Sequence, residues 1–240
     1  MARPIEIAVV LHHPAETPDR FAAALQARGA RLRFWEMFTA PVPPHAHGYD
    51  GFLLMGGPQS ANDEGFIALE RRWLAEEVLA AGKPVFGVCL GAQLLAKAAG
   101  GEVVPASTPE LGFFSVRATE EGLRDPVFAA LQEEAEVFQW HGQTWTLPAS
   151  AVRMAEGFPV REQAFRLGRA QYGIQFHPEV ELATIRRWIA LGKRERARLG
   201  EEGIARLVAR AEQGLDAMHA LAERMITAWL AEIEAIEGGR

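Results

Sequence analysis

The sequence holds one cysteine, Cys89, in 240 residues. That excludes an intramolecular disulfide and any cysteine-rich zinc site, and it fits a reducing compartment. No stretch reaches the roughly 18 consecutive apolar residues of a membrane-spanning helix. The opening segment MARPIEIAVVLHH carries a short apolar run interrupted by Glu6, without the length or flanks of a secretory signal. Basic charge is in deficit: 25 Lys and Arg stand against 31 Asp and Glu, for a net charge of −6. A chain of that sign presents no global field to a phosphate backbone, which argues against nucleic acid as a main partner. Internal repeats and low-complexity segments are also lacking. These absences together predict a cytoplasmic protein that engages neither membrane nor nucleic acid.

What is present reads as a globular α/β chain. Hydrophobic residues make up 49% and charged residues 23%, enough for one medium core with or without an appendage. Short apolar runs alternate with amphipathic stretches over about the first hundred residues. Ile5–Leu11, Arg31–Trp35, Tyr49–Met55 and Pro84–Val88 read as strands. Pro18–Arg28, Glu64–Ala81 and Leu90–Ala99 read as helices, each followed by glycine. This spacing predicts βαβ units and a mainly parallel sheet. Between about Glu102 and Phe165 the pattern changes to strand-like pieces at Glu102–Val104, Phe113–Ala118, Glu136–Trp140 and Ala151–Gly157, which suggest an antiparallel section on the same sheet. Arg169–Phe176 alternates, with Ala170, Tyr172, Ile174 and Phe176 on one face and Gln171, Gly173 and Gln175 on the other. A helix should start near Glu181. The tail, Lys193–Ile236, repeats apolar residues at helical spacing and predicts one or two amphipathic helices, broken near Gly200–Gly203 or Gly214.

The sharpest local feature is Gly87-Val88-Cys89-Leu90-Gly91, where an apolar strand runs into a cysteine and a helix starts at once. A nucleophile on so tight a turn needs small residues two positions either side, which Gly87 and Gly91 supply. The helix N-terminus aims its positive end at the sulfur, and the Leu90 N–H is free to help hold an oxyanion. An inert buried cysteine between chance glycines would give the same string. The second feature is His177-Pro178-Glu179, directly after the alternating strand. Pro178 stops the ladder, and a carboxylate two residues from the imidazole can orient it as the base that a cysteine nucleophile needs. Alone, it could equally be a solvated turn. The third is Met55-Gly56-Gly57-Pro58-Gln59-Ser60, where Gly56 and Gly57 let backbone approach a ligand and offer further N–H donors. All three fall at predicted carboxyl ends of strands, where open α/β sheets place their sites.

MGGPQS, GVCLGAQLLA and GIQFHPE resemble, in order, the three signature segments of the class I glutamine amidotransferases. ELGFFSV (Glu110–Val116) and VFQWHG (Val137–Gly142) are similar to stretches of the GMP-synthetase-like branch of that family, here as a stand-alone chain. The resemblance covers about residues 1–192 and leaves 193–240 as a C-terminal helical extension. It implies a flavodoxin-like open sheet, mainly parallel and flanked by helices, with an antiparallel section. It implies a catalytic triad of Cys89, His177 and Glu179 and an oxyanion hole from the N–H groups of Gly57 and Leu90. It further implies substrate contacts from Gly56, Gln93, Gln139, Trp140 and His141, with neither metal nor cofactor. The implied reaction is hydrolysis of the glutamine side-chain amide through a γ-glutamyl thioester, releasing glutamate and ammonia.

Such enzymes feed ammonia to a synthetase. Neither a G-x-x-x-x-G-K-[ST] loop nor an SGGxDS-type loop is found, so an ATP-using acceptor would lie on another chain. Two alternatives share the fold: a γ-glutamyl peptidase or hydrolase with the same triad, and a catalytically silent regulatory or binding subunit. Intact Cys89, His177 and Glu179 count against the last. The apolar tail stripe of Leu207, Leu215, Met218, Met225 and Trp229 should pack on the body; otherwise it is a docking face for a partner or a second copy in a homodimer. His12 and His13 could line the site mouth, but Pro14 makes a plain loop as fitting. His45 and His47 lack a visible third ligand, and His219 reads as structural.

Overall fold

The computed structural model describes residues 3–41, 43–132 and 134–239. One nine-stranded sheet organises them, in the order β2-β1-β3-β4-β9-β8-β7-β5-β6. Its parallel half is β1 (Glu6–Leu11), β2 (Arg31–Glu36), β3 (Gly51–Leu54), β4 (Val85–Val88) and β9 (Gln171–Ile174). Its antiparallel half adds β5 (Val103–Ala118), β6 (Glu134–Trp145), β7 (Val152–Gly157) and β8 (Glu162–Arg166). The strand β9 is the seam, parallel to β4 on one side and antiparallel to β8 on the other.

The strands sort their side chains by the period of two that a pleated strand imposes. Ile7, Val9, Leu11, Leu53, Met55, Tyr172 and Ile174 join one core layer, while Ala8, Val10, Phe52 and Leu54 join the other. The helices α1 (Asp19–Ala27) and α7 (Asp216–Gly238) supply the first layer. The helices α2 (Phe66–Trp73) and α3 (Leu90–Ala98) supply the second. The edge strand β2 has no buried residue, and its two arginines keep that edge charged. A third apolar cluster joins α5 (Leu182–Leu191) and α6 (Lys193–Glu212) to Phe138 on β6.

Several expected boundaries move. The helix expected over Glu64–Ala81 is α2 followed by a π-helical turn at Leu74–Leu79. Glu102–Val104 and Phe113–Ala118 are one strand, β5, whose register to β6 shifts between Pro105 and Glu110. Pro105 and Pro109 fall in that irregularity, where missing N–H groups matter least. The strand β8 was not anticipated, nor was the short helix α4 (Glu120–Arg124), capped by the Thr119 hydroxyl accepting from the Gly122 N–H. The tail is two helices: α6 kinks at Gly200 (φ 66°), and Gly214 (φ 124°) ends the turn before α7. Leu207, Leu215, Met218, Met225 and Trp229 are all buried, and Trp229 donates its indole N–H to the Ala170 carbonyl (3.0 Å). His219 is buried too, its Nε2 3.0 Å from the Val180 carbonyl.

Candidate active site

Three strand ends converge. β4 ends at Val88, and Cys89 turns into α3 with φ 50° and ψ −105°, a left-handed conformation costly for a residue with a Cβ. The turn is held from both sides: the Cys89 N–H donates to the Ile174 carbonyl on β9 (2.8 Å), and the Gly91 N–H to the Met55 carbonyl after β3 (3.2 Å). The flanking glycines are sterically required. A Cβ on Gly87 would lie 2.7 Å from the Gly91 backbone, and one on Gly91 would collide with the Leu54 carbonyl. The Leu90 N–H opens the first turn of α3, which has no carbonyl within the helix to accept it.

His177 follows β9 and bridges to β6, its N–H donating to the Phe138 carbonyl (2.8 Å). Its ring meets the edge of Trp188 on α5 at 4.7 Å, and Nδ1 lies 2.8 Å from Glu179 Oε1. Both side chains are almost wholly buried. Among the described residues Glu179 Oε2 has no hydrogen-bond partner. Burial works to lower the His177 pKa. The charge of Glu179 and hydrogen bonds to Cys89 and Glu179 outweigh it and raise the value well above 6.5. The structure therefore brings His177 and Glu179 together beside the Cys89 elbow.

Gly56 and Gly57 lie against the same group. A Cβ on Gly56 would sit 3.1 Å from His177 Cε1 and 2.6 Å from Glu16 Oε2; one on Gly57 would sit 2.7 Å from Leu90 Cδ2. Glu16, in the loop after β1, is thus a carboxylate at the site mouth that sequence reasoning missed. Burial pushes its pKa up to about 7, with His177 pulling the other way.

The other expected contacts are committed to protein partners. Gln93 donates to the Gln143 carbonyl (3.1 Å) and to Gln175 Oε1 (3.2 Å). Gln139 donates to Gln163 Oε1 (2.6 Å), leaving its own Oε1 buried and unpartnered. Trp140 stacks on Phe138 (5.9 Å). His141 places Nε2 2.8 Å from Glu110 Oε2 and Nδ1 2.9 Å from the Gln143 carbonyl.

Beneath the glycine pair lies a buried dyad, the fully buried His12 and Glu70. His12 Nδ1 is 3.1 Å from the Gly56 carbonyl and Nε2 is 2.9 Å from Glu70 Oε2. Burial opposes the charge on His12, but Glu70 and the backbone carbonyls of Gly56 and Met55 raise its pKa above 6.5. Helical spacing did carry a signal for Glu70, which sits on the apolar stripe between Ile67 and Trp73.

The sequence model for glutamine amidotransferase class-I matches residues 19–189. The chain belongs to the class I glutamine amidotransferases. YfeJ of Salmonella typhimurium, described as glutamine amidotransferase-like, is 27% identical over 194 residues, covering 78% of this chain and 81% of its own. The glutamine-hydrolyzing GMP synthase of Aliivibrio fischeri strain ES114 is 34% identical over 174 residues, covering 72% of this chain and 32% of its own. The chain spans about a third of that synthase. Among solved structures, a glutamine amidotransferase from Thermotoga maritima superposes with a TM-score of 0.85 at 25% identity over 97% of this chain and all of its own. One from Methylobacillus flagellatus gives 0.84 at 26% over 95% and 94%. The fold is accordingly the flavodoxin-like one of class I amidotransferases, and family membership supports glutamine hydrolysis and ammonia transfer as the class of activity. Among the described residues no helix is long and apolar enough to cross a membrane.

Proposed function

We propose that this amidotransferase hydrolyses the side-chain amide of glutamine through a γ-glutamyl thioester on Cys89. The observation that carries the reading is the arrangement of His177, its Nδ1 2.8 Å from Glu179 Oε1 and its ring close enough to the Cys89 elbow for the sulfur to raise its pKa. With its proton on His177, the sulfur attacks the amide carbon, and the Gly57 and Leu90 N–H groups take the developing oxyanion. The imidazolium then gives its proton to the leaving nitrogen, ammonia departs, and the thioester remains. Water loses a proton to the now neutral His177 and attacks the thioester carbon; glutamate leaves and the sulfur–imidazolium pair is restored. Glu179 fixes the ring and stabilises its charged form. Gln93, Gln139, Trp140 and His141 act as the rigid wall of the pocket, with the unpartnered Gln139 Oε1 as the atom able to take a ligand donor.

The ammonia passes to a synthetase-type acceptor. Support comes from the relatives named as glutamine-hydrolyzing GMP synthases, of which this chain matches about a third. Release of ammonia and glutamate from glutamine, and from γ-glutamyl peptides, measured on wild type, Cys89→Ala and Glu179→Gln, tests the reading. Glutamine turnover should vanish in Cys89→Ala and fall about 10²–10⁴-fold in Glu179→Gln. Turnover of peptides but not glutamine would select the γ-glutamyl peptidase instead. Cys89 that is neither labelled by a glutamine-like electrophile nor required for turnover would leave a silent subunit.

A further inference from the structure

The buried pair of His12 and Glu70 plays no part in the chemistry just described, yet it contacts the backbone of the glycine pair. The ring nitrogens settle its state. The Gly56 carbonyl can only accept, so His12 Nδ1 must carry a proton to bond it at 3.1 Å. Nε2 faces both oxygens of Glu70, at 2.9 and 3.1 Å. His12 is thus held at both ring nitrogens with no exposure to solvent. In a planar trans peptide the carbonyl and the following N–H point in opposite directions. Fixing the Gly56 oxygen toward His12 therefore fixes the Gly57 N–H away from it. Glycine at both positions leaves this peptide little intrinsic barrier to the flipped orientation, so an external anchor has something to decide. The Gly57 Cα also lies against His12, where an added Cβ would stand 2.8 Å from the His12 Cβ and 2.5 Å from Gln59 Oε1.

We propose that His12, held by Glu70, is a positioning residue that locks the Gly56–Gly57 peptide with the Gly57 N–H aimed into the site, ready to receive the oxyanion. The inference rests on the proposed amidase reaction. His12 touches neither substrate nor the reacting atoms; Glu70 keeps the ring oriented so that Nδ1 faces the peptide.

The test uses paired variants of the full chain. His12→Asn keeps a donor at the Nδ1 position, whereas His12→Gln reaches the Nε2 position and its Glu70 contact. The double variant H12L/E70L replaces the pair with apolar side chains of similar size, a change that buried ion pairs often tolerate. Removing one oxyanion donor is worth about 10²–10³-fold in kcat. Glutamine kcat should therefore fall about 100-fold in H12L/E70L, with KM within a few-fold. Alkylation of Cys89 by iodoacetamide, a displacement at saturated carbon that forms no oxyanion, should stay within about twofold of wild type. His12→Asn should exceed His12→Gln by about tenfold in kcat, and this comparison stands even if H12L/E70L does not fold. Wild-type kcat in H12L/E70L, a parallel loss of alkylation, or equal rates for the Asn and Gln variants would each overturn the inference alone. A wild-type protein that turns over no γ-glutamyl amide would overturn the functional reading beneath it.

Discussion

At the scale of single residues, two ionisable groups at one mouth respond to pH in the same sense but over different ranges. His177 has its pKa raised well above 6.5, so its partnership with Glu179 contributes stability fully below that value and loses it as pH rises through the folded value. Glu16 follows the same sign over a lower range. Its carboxyl is raised to about 7, so the folded chain binds a proton that the unfolded chain has released above its ordinary value of 4.5. Stability is lost progressively as pH climbs from about 4.5 to 7, because an ionised Glu16 sits poorly solvated near Glu179 and Asp19. Glu16→Gln should leave stability unchanged at pH 4 and raise it at pH 8, by on the order of 1–2 kcal/mol after allowing for solvent screening at this half-buried site. Differential scanning calorimetry across that range checks it; a gap that is constant with pH would disprove the assignment of the titration to Glu16.

At the scale of elements, the elbow between β4 and α3 is the decisive junction. It places a left-handed Cys89 between two glycines whose missing side chains leave room for backbone on both sides. Gly91→Ala would drive a methyl group into the Leu54 carbonyl, which belongs to β3 and cannot move without disturbing the sheet. We expect a loss of roughly 2–4 kcal/mol, read by urea denaturation, together with loss of Cys89 alkylation. A variant as stable as wild type would show that the elbow can relax. The glycine spacing made this junction legible in the sequence, because the steric need is local. The buried network of Glu110, His141 and Gln163 was not legible in the same way. Its members lie on β5, β6 and β8, and one of those strands has no clean alternation to announce it. Polar residues in such strands look solvated until register brings them face to face.

At the scale of the whole molecule, the chain after Lys193 completes the core. Leu221, Met225, Trp229 and Ile233 of α7 share one apolar cluster with β1, β3, β4 and β9. Gly51 on β3 accommodates them, since a Cβ there would stand 2.8 Å from Ile233 Cδ1. The stripe that could have docked a partner or a second copy is thus covered by its own chain. Trp229→Ala should cost about 3–5 kcal/mol, as for other fully buried aromatics, and lower the melting temperature without altering Cys89 alkylation at 20 °C or thereabouts. An exposed tail would instead give a variant indistinguishable in stability.

The amino-acid sequence alone determined the order of strand and helix in the parallel half, the elbow around Cys89, and the adjacency of His177 and Glu179. Each of these is written within a few residues, by periodicity, by glycine spacing, or by a proline that stops a ladder. Only the tertiary structure decided that Glu16 reaches the same mouth, that His12 and Glu70 close beneath the glycine pair, and that Gln93 and His141 face protein partners. Those relations join segments far apart in the chain. Strand order, register and side-chain burial set them, and none of the three is encoded in a local pattern.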